Sequence, residues 1–281
     1  MPSARTFTLT SLAMIAFAGN SLLCRAAFQH SSIDPASFTS IRLISGALIL
    51  WLLVSFKESN SSGGGGWWSA LALFAYAAGF SFAYVSLSAA TGALVLFGAV
   101  QTTMIGYGIW SGERLAKLQV VGLLLAVGGL TGLLLPGLSA PPLLGCLFMT
   151  GAGVAWGIYS LRGKGAGDPT LVTAGNFLRA VAFAVVLSLV TLNVFSLELA
   201  GVGYAVMSGG LASGIGYAIW YSALPGLQAT QAASVQLSVP VIAALGGVAL
   251  LGEPITLRLV LASLAILGGI ALVIFERQAS K

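Results

Sequence analysis

Charge is what this chain has least of. Only 7% of its 281 residues are charged, 12 Lys and Arg against 7 Asp and Glu. A soluble domain needs roughly a quarter of its residues charged to cover its surface, so a water-facing globule is excluded. No carboxylate lies inside any long apolar run. Asp34, Glu58, Glu113, Asp168, Glu198, Glu253 and Glu276 all flank such runs, which leaves out the buried titrating carboxylate on which proton-driven carriers generally rely. One histidine (His30) and two cysteines (Cys24 and Cys146) offer no metal-ligand set, and no carboxylate pair or nucleophile stands beside a base. No metal, no cofactor and no enzymatic activity are expected. Both cysteines sit in apolar stretches and read as small hydrophobes. "GAGVAWG" (151–157) and "SNSSGGGG" (59–66) lack the Lys-Ser/Thr of a phosphate loop, and the second reads as a flexible cytoplasmic linker.

What is abundant is apolar: 58% of residues are hydrophobic and the mean hydropathy is +1.00. A membrane-spanning helix takes about 20 apolar residues. The polar punctuation leaves ten such segments, near 8–29, 35–56, 67–87, 90–111, 115–135, 141–160, 169–191, 199–222, 228–250 and 255–275. The runs are continuous and do not alternate, which favours helices over a membrane barrel. Arg5 ahead of the first run resembles a signal peptide, but the run is too long, and the later runs would hold the chain in the membrane anyway. The expected fold class is an all-α polytopic membrane protein with ten transmembrane helices and a lipid bilayer as its solvent. With the N-terminus inside, Arg5, Lys57, Arg114, Lys117, Arg162, Lys164, Arg277 and Lys281 fall on the cytoplasmic side. The opposite side holds little beyond Arg258, with Arg25 near the outer end of the first helix. This bias predicts both termini cytoplasmic. The net charge of +5 is then a topology signal, and no nucleic acid is expected as partner.

The chain repeats itself. Arg25 matches Arg162 and Arg42 matches Arg179, 137 positions apart. Gly106 matches Gly246, Gly112-Glu113 matches Gly252-Glu253, and Gly128-Gly129 matches Gly268-Gly269, 140 apart. Two five-helix units, 1–138 and 139–281, follow. Five crossings are odd, so the second unit runs opposite to the first, an inverted-topology repeat of the kind alternating-access carriers use. Each Gly-Glu reads as a turn after a fourth helix, with Glu113 and Glu253 near the N-terminus of the fifth, where the helix dipole favours a carboxylate.

Ten helices in this five-plus-five arrangement resemble the drug/metabolite transporter superfamily, its EamA-type branch, and within that the exporters of amino acids, aromatic ones among them. "LGEPITLRLVLASLAILGGIALVI" (251–274) and Pro240 in "QLSVPVIAALGG" carry the likeness most specifically. Val100 departs from it, standing where the repeat partner is Pro240. The resemblance implies helices 1, 3, 4, 6, 8 and 9 around a central cavity, with 2, 5, 7 and 10 outside. It also implies a bacterial inner-membrane location.

Polar side chains in hydrocarbon are costly unless they face a cavity or a partner. Asn20, Gln101, Thr102, Gln236 and Ser238 are therefore candidates to meet a substrate, helix–helix hydrogen bonds being the alternative. Tyr76, Phe80 and Tyr84 fall four apart on one face of helix 3. Trp156 and Tyr159 lie on helix 6, and Tyr217, Trp220 and Tyr221 on helix 8. Trp67, Trp68 and Tyr221 read as interface anchors; the remainder suit a pocket for a solute with an apolar body and a polar head. Gly108 and Pro240 are candidates for gating bends. The pairs Gly108/Gly112, Gly128/Gly132, Gly153/Gly157 and Gly210/Gly214 read as close helix packing. Arg42 and Arg179, two turns inside helices 2 and 7, are expected to snorkel to an interface.

The expected function is export of small amphipathic metabolites, chiefly amino acids, by alternating access and facilitated diffusion, from a monomer. The alternatives are a drug or nucleotide-sugar carrier of the same superfamily and a membrane receptor or assembly subunit that moves no solute. The cation bias makes one direct prediction. A reporter fused after Lys281 is active only if it is of a kind that works in cytoplasm; activity of a reporter that works only outside would break the even helix count.

Overall fold

The computed structural model describes residues 4–56, 64–112, 116–135, 140–163, 167–227 and 235–279. Lys57, Glu58, Glu113, Arg114, Lys164 and Lys281, the stretch 228–234 and the side chains of Glu276 and Arg277 lie outside this description. Among the described residues the chain is helical and carries no strand. The rods are α1 (Ala4–His30), α2 (Pro35–Ser55), α3 (Trp67–Tyr84), α4 (Ala89–Trp110), α5 (Lys117–Leu134), α6 (Leu143–Gly163) and α7 (Pro169–Val190). After a 3₁₀ turn at Leu192–Val194 come α8 (Leu199–Gly226), α9 (Ser238–Leu251) and α10 (Leu257–Ala279). Eight of these rods are long and apolar enough to cross a membrane. The aromatic-rich α3 does not reach that hydropathy, and α9 is a shorter apolar helix of 14 residues.

The helix starts follow from caps. Asp34 precedes Pro35, and its Oδ1 accepts from the amides of Ala36 and Ser37, both at 2.9 Å. Asp168 precedes Pro169 and does the same for Thr170 and Leu171, at 2.9 and 3.3 Å. Such caps satisfy amides that a helix cannot pair internally, and proline fits the first helical position because it has no N–H to lose. Gly112 and Gly252 end α4 and α9 with φ of +92° and +65°, a left-handed backbone that glycine adopts without steric cost.

α8 departs from expectation. It is α-helical at Leu199–Val206 and Gly216–Ala223, but Met207–Ile215 winds as a π-helix. Six of the nine residues of "MSGGLASGI" are Gly, Ser or Ala, and the large Met207 and Leu211 point outward, exposed, so little bulk opposes a wider helix. A Cβ at Gly209 would collide with the Arg42 carbonyl and Ser45 Oγ of α2, so this stretch lies directly against α2.

Two expectations about glycine and linkers are corrected. Gly153, Gly157, Gly210 and Gly214 do pack closely, against α4 and Ile49. Gly128 and Gly132 instead line an open groove of about 640 Å³ between α5 and α10, with Leu124, Leu261 and Arg258. The close approach there belongs to Gly122 and Gly269, whose Cβ positions would each strike the other's carbonyl oxygen. The end of the glycine run at Gly64–Gly66 is not free either: Gly64 O accepts from Arg179 at 2.8 Å, and Gly66 N donates to Asn176 at 2.9 Å. Gly122→Leu is expected to lower stability by about 1–3 kcal/mol or more through overpacking, read as a lower Tm in detergent. A Cβ at Gly128 meets no atom within 4 Å, and Gly128→Ala is expected to stay within about 0.5 kcal/mol of the unsubstituted chain.

Candidate functional site

The buried polar groups converge on α1, α2, α3 and α8. Asn20 is 6% exposed; its Nδ2 donates to Tyr76 Oη at 3.3 Å and its Oδ1 accepts from Ser208 Oγ at 2.6 Å. Arg42 Nη2 donates to the same Tyr76 oxygen at 3.0 Å. The π-helix supplies Ser208, in line with the frequent appearance of π segments at functional sites. Ser213, five residues further along it, is buried with an unpartnered hydroxyl.

Arg42 overturns the snorkelling expectation. Its side chain is 2% exposed, among the largest fully buried ones. The guanidinium lies 4.7 Å from the Phe80 ring centroid and 5.2 Å from that of Tyr76, within reach of the cation–π attraction. Arg179, partly buried, instead donates to the carbonyls of Gly64 and Gly175, at 2.8 and 2.9 Å. The caps explain the difference. Asp34 and Asp168 are 134 positions apart, so Arg42, eight residues past its cap, corresponds to Asn176, eight past the other. Asn176 donates to Tyr159 Oη at 3.4 Å. Each repeat thus sends a donor from the second turn of its second helix to a tyrosine hydroxyl. Counted from the caps, Arg42 stands against Asn176; counted by the 137-residue offset, against Arg179.

The aromatic candidates form one cluster beside this network. Trp156 stacks on Tyr217 (5.3 Å, 18°) and on Tyr159 (5.3 Å, 30°), and meets Tyr76 at 4.7 Å. Phe80 sits 5.5 Å from Tyr76. Phe17, which sequence reasoning passed over, bridges Tyr217 and Trp220 at 5.7 and 6.0 Å. Tyr221 is partly buried and accepts from Thr173 at 3.4 Å, whereas Trp67 and Trp68 are exposed. Tyr84 is fully buried at the end of α3, where its hydroxyl donates to Ala89 O at 3.3 Å; that contact closes the α3–α4 turn.

The other candidates lie on α4 and about the start of α9. Gln101 is the last buried residue of α4: Ala89–Gln101 are all buried, and from Thr102 to Gly112 none is. Thr102 returns its hydroxyl to Gly98 O at 2.8 Å, and Ser238 to Val235 O at 2.7 Å. Gln236 and Pro240 flank a break at Leu237 in the α9 helix. Proline has no N–H for the carbonyl four residues back, which accounts for the interruption. Gly108 lies within an unbroken α4.

Glu253 is also corrected. It does not serve the helix that follows it. Its Oε1 pairs with Arg25 Nε at 2.9 Å, and its Oε2 accepts from Ala89 N, the first residue of α4, at 2.8 Å. Arg25 also donates to Tyr84 O at 3.1 Å. Nearby, Asp34 Oδ2 accepts from Ser196 N at 3.1 Å and Glu198 from Ser32 N at 2.7 Å. One end of the bundle is thus tied across its two halves by three carboxylates. Glu253→Ala strips an acceptor from Arg25 and from α4, with an expected cost of about 3 kcal/mol, while Glu253→Gln keeps the amide's acceptor and loses less. A Tm for the alanine variant equal to that of the unsubstituted chain would show that this tie holds nothing.

The chain matches the EamA-like transporter family twice, over residues 5–135 and 143–275. It is 59% identical over 278 residues to an uncharacterized protein of Pseudomonas aeruginosa, covering 99% of this chain and 97% of that one. It is 30% identical over 201 residues to an uncharacterized transporter of Archaeoglobus fulgidus, covering 69% and 70%. A solved crystal structure shares its fold at a TM-score of 0.65 with 18% identity, over 95% of this chain and 96% of that one. Two repeats, an apolar helical bundle and these matches lead to one conclusion: the chain belongs to the EamA-like transporter family, a multi-pass membrane transporter of the drug/metabolite type.

Proposed function

We propose that this transporter releases small amphipathic metabolites, amino acids including aromatic ones, down their gradient across a bacterial inner membrane. It does so as a monomer with ten spans, both termini in the cytoplasm and two inverted units, 1–138 and 139–281. The observation that carries the reading is the junction where Asn20, Tyr76 and Ser208 meet the Trp156–Tyr217 stack. Neutral donors and acceptors from both repeats stand there beside a face of flat rings, which suits a solute with a polar head and an apolar body. Phe80, Tyr159 and Trp220 extend that face. Gln101 and Gln236 belong to the path by which the solute reaches it, with Gly108 and Pro240 as its bends. Under the topology expected from the cations, the end tied by Arg25–Glu253 faces outward, and the unburied half of α4 faces the cytoplasm.

Proteoliposomes test this. Counterflow of radiolabelled aromatic amino acids is expected, and Trp156→Ala is expected to weaken it about tenfold, the equivalent of one lost stacking contact of about 1.4 kcal/mol. An imposed pH gradient is expected to produce no accumulation, because a second ligand drives uphill movement only by binding the two conformations differently. Several-fold accumulation abolished by a protonophore would overturn facilitated diffusion. Counterflow unaltered by Trp156→Ala would overturn the site.

A further inference from the structure

Arg42 carries a full charge into the centre of an apolar bundle, and among the described residues no carboxylate pairs with it. Its Nη1 is buried and has no hydrogen-bond partner, while Nη2 has only the neutral Tyr76 hydroxyl. Each carboxylate with a described side chain is engaged elsewhere: Asp34 and Asp168 cap α2 and α7, Glu198 holds Ser32, and Glu253 holds Arg25. Asp34 shares a helix with Arg42 but stands eight residues away, about 12 Å along the axis at 1.5 Å per residue. The aromatic faces of Phe80 and Tyr76 soften the charge and cannot neutralise it. A buried ion with no counter-ion and an open donor is among the costlier arrangements a fold can hold. An arginine cannot escape by losing its proton.

We propose that Arg42 is the anchor for a single negative charge on the transported solute, so that the substrate class is an amphipathic monocarboxylate with an aromatic or branched apolar body. The inference rests on the transport site proposed above and adds its charge selectivity. The guanidinium fork fits a carboxylate, with the free Nη1 as the donor that only a bound ligand satisfies. One cation balances one negative charge: a dianion would leave the apolar bundle negative, and a cationic drug would set a second positive charge beside the first. Apolar bodies stack on Trp156 and Tyr217, since Tyr76 joins the charge to the rings. Its ring touches Trp156 at 4.7 Å, and its hydroxyl accepts from Arg42 at 3.0 Å. Ser208 and Asn20 border the head, and the unpartnered Ser213 hydroxyl is one more donor on the same segment.

The test uses the full chain purified in detergent and equilibrium dialysis of radiolabelled 3-phenylpropionate, competed with phenylalanine, 3-phenylpropanol and 3-phenylpropylamine. These solutes share one body and differ in the head. The unsubstituted chain is expected to bind the propionate at least tenfold tighter than the alcohol, and the amine more weakly still. Arg42→Gln is expected to erase the gap between acid and alcohol without lowering the Tm, because it removes an uncompensated buried charge. Arg42→Lys keeps part of the gap. No preference for the acid in the unsubstituted chain, or a preference unchanged in Arg42→Gln, overturns the proposal. The comparison of heads in the unsubstituted chain needs no variant to fold. Selective binding of the acid without counterflow of any of these solutes would remove the transport reading above and leave the anion site standing.

Discussion

Inside a bilayer no polar group has water to fall back on, so each must find its partner within the protein. The structure is organised by that constraint. Thr39, Ser81, Thr102, Thr131 and Ser160 each return a hydroxyl hydrogen to the carbonyl four residues back, which satisfies the donor at no cost in interhelical contact. Asp34 and Asp168 spend a carboxylate on the open amides at a helix start. What remains after these local solutions is a short list of side chains that reach across helices. Beside Ser40–Ser188, Gln119–Val273 and Arg162–Ser69, that list holds the candidate site and the tie at one end.

The tie has a property that apolar packing lacks. Asp34–Ser196, Glu198–Ser32 and Glu253–Arg25 are bonds to groups that water satisfies equally well. An end held in this way can separate as water enters, whereas separating two packed apolar faces exposes area at about 25 cal/mol per Å². Under the alternating access expected from the inverted repeat, each end opens in turn, and closures of the first kind suit that cycle. Glu253 shows how few residues this requires. One carboxylate pairs an arginine of α1 and caps α4 from the α9–α10 turn, so three helices are released or held together.

Much of the fold was legible in the sequence because hydrocarbon enforces simple rules. Segment lengths follow bilayer thickness, and the ends fall at Asp-Pro and at glycines of positive φ. The repeat was visible in the paired Gly-Glu turns. The aromatic group at Tyr76, Phe80, Trp156, Tyr159, Tyr217 and Trp220 was also legible, since rings placed away from helix ends have few other places to go. Three features were not. The π segment of α8 keeps large residues only at Met207, Leu211 and Ile215, four apart, a spacing an ordinary α-helix would show equally well. The partner of Glu253 is set by tertiary approach, and the dipole rule that suggested its own following helix acts only where no closer cation or amide competes. Arg42 was misread because depth along a helix does not tell a lipid-facing arginine from an inward-facing one; α2, peripheral by family likeness, still turns one face to the centre. The Asp-Pro caps were the available signal. Counting eight residues from each sets Arg42 against Asn176, the two donors to a tyrosine hydroxyl.

That correspondence bears on why the two repeats are not interchangeable. Arg42 and Asn176 occupy equivalent positions and both donate to a tyrosine hydroxyl, Tyr76 in one case and Tyr159 in the other. Both polar atoms of Asn176 have a partner: its Oδ1 takes Gly66 N at 2.9 Å and its Nδ2 gives to Tyr159, and a neutral amide costs little to bury once bonded. Arg42 in the same place keeps a charge and an open donor. Two arginines there would set like charges on the two tyrosines that flank Trp156, since Trp156 touches both Tyr76 and Tyr159. Two asparagines would leave the rings without an electrostatic anchor. One of each gives a stack of aromatic faces charged at one side only, and therefore an orientation. In the site proposed above, that asymmetry sets a solute's head on the Arg42 side and its body on the Trp156 side.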